Sequence, residues 1–241
     1  MSTGFGDLPA TKTPCEVCLV GKHASNPFKC AKKKTKHPLE LLYMDLCGKM
    51  EEKSIGGSNY FLTIVDDFTR YTQVYFLCSK DEVYDRISEF ITQAERETGL
   101  KLKAIRSDNG TEFVNQRVEK LLKSKGIKHQ RSVVMVPQQN GVVERAQRFI
   151  AERARCTLAD AGLPKCYWAE AVSTAVYLNN RSPTKSVKNM MPIEAWTGEK
   201  PDLSHLRIFG CEVMVKIPSK KRPKYETLVK SLIVQMVLLS V

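Results

Sequence analysis

Asp108 stands in the stretch RSDNGTEF, residues 106–113, where an alternating, β-branched run ends at an Asn-Gly turn. A carboxylate at a strand tip is either a solvated turn residue or one member of a set that holds something positive. The second reading needs partners, and two occupy suitable places. Asp45 falls late in the run LELLYMDLCG, and Glu144 falls on the first turn of the helix that follows PQQNG. Bare carboxylates a few Å apart repel by roughly several kcal/mol at an effective dielectric of about 20, so such a cluster is unfavourable unless protonated or filled. Two Mg²⁺ ions against three carboxylates leave a formal charge of about +1, which one phosphodiester neutralises, and Mg²⁺ prefers hard oxygen ligands. A site of that kind activates an attacking oxygen and stabilises a leaving one. Taken singly, each acid reads as a turn residue or a cap. Their position, order and flanking motifs together favour a shared site.

The elements that must position them follow from periodicity. LELLYMDLCG reads as a buried strand, and NYFLTIVDDFTRYTQVYFLCSK as two antiparallel strands joined by a tight turn at Thr69 and Arg70. Val83, Ile87, Phe90, Ile91 and Ala94 then recur at helical spacing up to Gly99, a C-terminal glycine. LKLKAIRSD is a strand, VNQRVEKLLKSKG a short helix with Val114, Val118, Leu121 and Leu122 on one face, and IKHQRSVVMV another strand. The order β-β-β-α-β-α-β predicts an α/β fold with a mixed sheet, its first strand central and its fourth parallel beside it. In that sheet Asp45 and Asp108 approach one another. The helix from Val142 carries an apolar stripe of Val143, Ala146, Ile150, Ala154 and Leu158, while Glu144, Arg148 and Arg155 share its other face. A further helix runs from Pro164 to Asn180. Residues 1–38 read as an arm with the lysine run KCAKKKTKHP, 39–183 as the core, and 184–241 as a C-terminal extension with a short helix at PIEAWTG and a strand near CEVMVKI.

Charge narrows the partner. The 38 Lys and Arg residues exceed the 26 Asp and Glu by twelve, which favours a polyanion, and nucleic acid leads the candidates. The eight cysteines mostly sit in apolar runs without a secretory disulfide pattern, and MSTGFGDLPATK lacks the apolar core of a signal peptide. The apolar end SLIVQMVLLSV is too short to span a bilayer. An intracellular, reducing compartment is expected, with no membrane partner and no small-molecule substrate.

From about residue 15 to 217 the motifs CEVCLVGK, YMDLCG, GGSNYFLTIVDDFTRY, IRSDNGTEF, GIKHQRS, PQQNGVVER, LNNRSPT and HLRIFG occur in unbroken order. In this the chain resembles the integrase core of copia-type long-terminal-repeat retrotransposon Pol polyproteins. The resemblance implies a ribonuclease H-like fold, a five-stranded mixed sheet flanked by helices, with Asp45, Asp108 and Glu144 as the catalytic, metal-binding triad for two Mg²⁺, or Mn²⁺. It implies 3′-end processing and strand transfer of DNA by a homo-oligomer, in the nucleus when acting on DNA and otherwise in the cytoplasm. Asn109, Gln138, Asn140, Arg145 and Arg148 are then DNA-contacting or loop-positioning residues, with Asn140 equally a helix cap and Gln138 equally a solvated loop residue. His129 reads as a strand-surface residue outside the catalytic set. Three departures stand out. Cys15 and Cys18 lack the family's upstream histidine pair, so they read as the vestige of a truncated zinc module and Zn²⁺ is not expected. Ala146 stands where relatives have lysine, and beyond KRPKYE the likeness ends, which suggests a truncated or diverged copy. A weakened remnant that only binds nucleic acid, and a ribonuclease H-like nuclease of another kind, are the competing readings.

Overall fold

The computed structural model describes residues 35–132, 140–216 and 229–233. Cys15, Cys18 and Gln138 lie outside them. Strands β1 (Leu42–Cys47), β2 (Tyr60–Asp66), β3 (Thr72–Leu77), β4 (Ala104–Ser107) and β5 (Lys128–Arg131) form one sheet in the order β3-β2-β1-β4-β5. β1 pairs antiparallel with β2 and parallel with β4, and β4 pairs parallel with β5, so the expected mixed sheet is present with β1 at its centre.

Alternation along the strands divides the core into two layers. Leu42 and Met44 of β1, Leu62 and Ile64 of β2 and Ile105 of β4 face helix α1 (Val83–Thr98), joining Ile87, Phe90 and Ile91 in one cluster. This layer also holds Val118 and Leu122 of α2 (Gln116–Ser124), a helix capped by Asn115 Oδ1, which accepts the Val118 N–H at 3.0 Å. Val114 precedes that helix. On the opposite sheet face, Phe61 packs with Ile150 and Ala154 of α3 (Gly141–Asp160) and with Trp168, Val172 and Val176 of α4 (Trp168–Asn180). Tyr43, Val65 and Val143 form a smaller cluster on that side, so Tyr43, Asp45 and Cys47 of β1 all belong to the α3 face.

β3 is an edge strand, and its exposed ladder groups find a side-chain partner. Asn180 Oδ1 accepts the Thr72 N–H at 2.9 Å and its Nδ2 donates to the Thr72 carbonyl at 2.7 Å, imitating a further strand at a buried place. Gly99 ends α1 in the left-handed conformation, φ 67°, that a glycine adopts without a Cβ penalty. The short helix α5 (Pro192–Thr197) brings Trp196 into the α1 layer, stacked on Tyr71 at 4.8 Å, with Nε1 donating to Glu97 at 3.2 Å. Strands β6 (Glu212–Lys216) and β7 (Val229–Ile233) pair antiparallel as a separate ribbon. No helix among the described residues is long and apolar enough to cross a membrane.

Candidate active site

The parallel ladder brings the first two acids level. Leu42 stands beside Ile105 and Tyr43 beside Arg106, so Asp45 and Asp108, each two residues further on, leave the ladder at the same end of the sheet. The side chains share a face as well, because the Arg106 guanidinium lies over the Tyr43 ring at 5.3 Å and the residues two further along each strand point the same way.

Glu144 arrives by a different route. It sits in the first turn of α3, where a carboxylate is favoured by the helix dipole. Three residues on, Gln147 Nε2 donates to the Asp45 carbonyl at 3.1 Å and to Thr63 Oγ1 at 3.3 Å, which fastens the helix to β1 and β2 at Asp45 itself. Asn140 Nδ2 donates to the Met44 carbonyl at 3.5 Å, while its buried Oδ1 has no partner among the described residues. Asn140 occupies the N-cap position without a side-chain cap bond, so its use is to tether the chain to β1 rather than to cap α3.

Electrostatics report the result. The Asp45 carboxyl is pushed up to about 7 from its ordinary 3.8, first by burial, then by the charge of Asp108, with smaller contributions from Glu144 and Glu112; only the Leu46 N–H, 3.1 Å from Oδ1, opposes them. Four carboxylates therefore share one field, one more than the sequence suggested. Among the described residues no three acid, histidine or cysteine side chains stand in a ready metal-ligating arrangement, so the acids are neighbours without being closed on a common point. Their chemistry fits a hard divalent cation: oxygen donors only, and a mutual repulsion that positive charge relieves.

The other candidates divide. Asn109 is exposed and its Nδ2 donates to the Ser132 carbonyl at 2.9 Å, holding the loop after β4 to the end of β5. Arg145 and Arg148 are exposed on α3, as is Arg155. Ala146 is half-buried against the cluster of Tyr43, Val65 and Val143. His129 is tied to the site more closely than a strand-surface residue would be. Ser107 Oγ donates to the Asp108 carbonyl at 2.9 Å and lies 2.9 Å from His129 Nε2. Burial, and after it the charge of Arg131, lowers the pKa of this imidazole. Asp66 and Asp67, equally acidic in sequence, are structural: Asp66 accepts from Leu39 N, Thr69 N and Thr69 Oγ1 at 2.7–2.9 Å, and Asp67 pairs with Arg70 at 3.2 Å. Gln147 and Glu112 were not singled out from the sequence. The helical spacing of Gln147 from Glu144 was the available signal for the first; nothing local marks the second.

Known proteins share this chain's sequence and fold. Residues 35–137 match the family described as integrase core domain. The Retrovirus-related Pol polyprotein from transposon TNT 1-94 of Nicotiana tabacum is 43% identical over 90% of this chain, and the chain spans 16% of that polyprotein's length. Among solved structures, a chain of the simian T-cell lymphotropic virus intasome in complex with the PP2A regulatory subunit B56 gamma aligns with a TM-score of 0.54 at 18% identity, covering 69% of this chain and 56% of that one. The HTLV-2 integrase catalytic core domain in complex with magnesium, trimeric form, aligns at 0.49 and 22% identity, over 66% of this chain and 97% of that one. The fold is the ribonuclease H-like one of integrase cores.

Proposed function

We propose a function from the premise that this chain belongs to the integrase core family of copia-type retrotransposon Pol polyproteins: it joins DNA 3′ ends to target DNA by divalent-cation-dependent phosphoryl transfer. The observation that carries this reading is the shared field of Asp108, Glu144 and Glu112 on the half-buried Asp45 carboxyl, which no fold-stabilising role explains. Asp45, Asp108 and Glu144 would hold the cations, Mg²⁺ or Mn²⁺. Ions held there would supply Lewis acidity to the reacting phosphoryl group.

The residues themselves supply placement. The central strand fixes Asp45, the parallel neighbour fixes Asp108 at the same level, and Gln147 locks the helix that carries Glu144. Catalysis then rests on orientation and on charge aimed at the phosphoryl oxygens, with no covalent enzyme intermediate. Arg145 and Arg148, exposed beside Glu144, offer guanidinium groups to DNA phosphates, and the excess of twelve basic residues draws the polyanion in. We propose further that the protein acts as a homo-oligomer on paired DNA ends, and in the nucleus.

The direct test is strand transfer of a pre-processed duplex end into plasmid in Mg²⁺: concerted or single-end joined products are expected, and hydrolysis of an RNA–DNA hybrid without joining would refute the reading. A companion measurement addresses the arginines. Replacing Arg145 and Arg148 together by alanine is expected to weaken DNA binding for all sequences alike and to lower the slope of log affinity against log salt by about 2, roughly one unit per lost phosphate contact. Fluorescence anisotropy over a salt series reads that slope, and an unchanged slope removes both side chains from the DNA interface.

A further inference from the structure

Glu112 lies four residues beyond Asp108 on the turn that leads into α2, and the mechanism above gives it no task. Its side chain is only 9% exposed, and its carboxylate folds back over Gly110: a Cβ placed on that glycine would meet Glu112 Cδ and Oε2 at 2.8 Å. Gly110 in turn donates its N–H to Asp108 Oδ1 at 3.1 Å, and its carbonyl accepts from Phe113 N and Val114 N at 3.0 and 2.9 Å. One glycine thus connects the two carboxylates, and its lack of a side chain is what allows Glu112 to sit there.

Among the described residues the Glu112 carboxylate has one cationic partner. Lys80 Nζ approaches Oε1 at 3.4 Å from the junction between β3 and α1. That junction is rigid, since Glu82 Oε1 accepts the N–H groups of Ser79 and Cys78 at 2.8 and 3.0 Å. Between the junction and the Asp108 loop runs a groove of about 430 Å³, with Lys80 and Tyr84 on one wall and Glu112 and Arg117 on the other. Polar contacts therefore bridge the two walls at the surface: the Lys80–Glu112 pair, and Arg117 over the Tyr84 ring at 4.3 Å and 3.7 Å from Asp85. Of these, the first alone ends on the loop that carries Asp108.

We propose that the Lys80–Glu112 ion pair is a clasp that positions Asp108, with Lys80 neutralising a largely buried carboxylate so that it can rest on Gly110 and fix the turn. Neither residue is a ligand or a reacting group; both act through Gly110. The proposal rests on the function proposed above for its catalytic consequence, while the structural consequence stands by itself. Removing one partner of such a pair leaves an uncompensated buried charge, whereas removing both is far less costly.

That asymmetry makes the test. In the full chain, Lys80→Met is expected to lower strand transfer about tenfold and to speed hydrogen exchange of the amides of residues 108–115 about tenfold. Lys80→Arg keeps both within about twofold, and Lys80→Met combined with Glu112→Gln recovers most of the loss, because the neutral amide needs no counter-ion. A merely structural lysine would not be rescued by a second change at Glu112. The clasp is overturned if Lys80→Met matches the parent chain in both measurements, or if the double variant loses the product of the two single losses. An inert parent chain would sink the proposed function instead, and the exchange measurement would still judge the clasp.

Discussion

Asp108→Asn is expected to reduce strand transfer by at least about 10³-fold, the equivalent of roughly 4 kcal/mol of transition-state stabilisation, while leaving DNA affinity within about twofold. The change is nearly isosteric, and the amide oxygen still accepts the Gly110 N–H that Asp108 Oδ1 accepts at 3.1 Å, so the turn into α2 is preserved. What disappears is one of the negative charges that make the site attractive to divalent cations. DNA binding depends on the basic surface and survives. Joining assays in Mg²⁺ beside anisotropy with the same duplex separate the two quantities, and joining within tenfold of the parent chain would remove Asp108 from the reaction. Loss of joining without loss of affinity also distinguishes an enzyme from a domain that only adheres to nucleic acid.

The second large effect concerns stability and runs against intuition: in cation-free buffer at pH 8, Asp45→Asn is expected to make the protein more stable. Asp45 is raised in the folded chain to about 7 from 3.8, so folding favours its protonated form. The stability it contributes is fully present below pH 3.8 and is lost as pH rises through about 7, because the unfolded chain gives up the proton readily and the folded chain does not. Asparagine has no proton to lose. Allowing for partial solvent access, the gain at pH 8 is on the order of 2 kcal/mol, or about 5 °C in melting temperature for a chain of this size. Mg²⁺ should invert the order, stabilising the parent chain and having little effect on the variant, since the cation takes over what the proton did. Melting curves with EDTA and with Mg²⁺ at pH 5 and pH 8 check the sign. Equal melting temperatures at pH 8 without cations would mean that Asp45 lies outside the shared field of acids.

This tension between stability and function is typical of a site whose parts are selected for what they bind. The neighbouring acids show the contrast. Asp66 is as buried as any carboxylate among the described residues, at 1% exposure, yet three donors surround it and it closes the turn between β2 and β3. Asp45 accepts one backbone N–H and faces three other carboxylates. Burial alone does not separate a structural acid from a functional one; the number of donors against the number of like charges does.

Much of the chain could be read locally. The order of strands and helices, the glycine that ends α1, the apolar faces of α1 and α3 and the three acids all follow from periodicity and turn chemistry, because those depend on residues within one or two turns of each other. The five-stranded order follows too, once three consecutive strands precede alternating helices and strands. What local pattern does not encode is register between distant segments. The offset that brings Asp45 and Asp108 to the same end of the sheet, the reach of Gln147 to the Asp45 carbonyl, the link from His129 through Ser107 to the Asp108 carbonyl, and the return of Glu112 over Gly110 under Lys80 all join residues whose separations have no period. Trp196 is the same case: nothing around it announces that it stacks on Tyr71, more than a hundred residues earlier. Sequence thus determined which elements form and which side chains were available for chemistry. Only the packed sheet and helices decided which of those side chains share a field, because charges and hydrogen bonds act through a few Å of space and not along the chain.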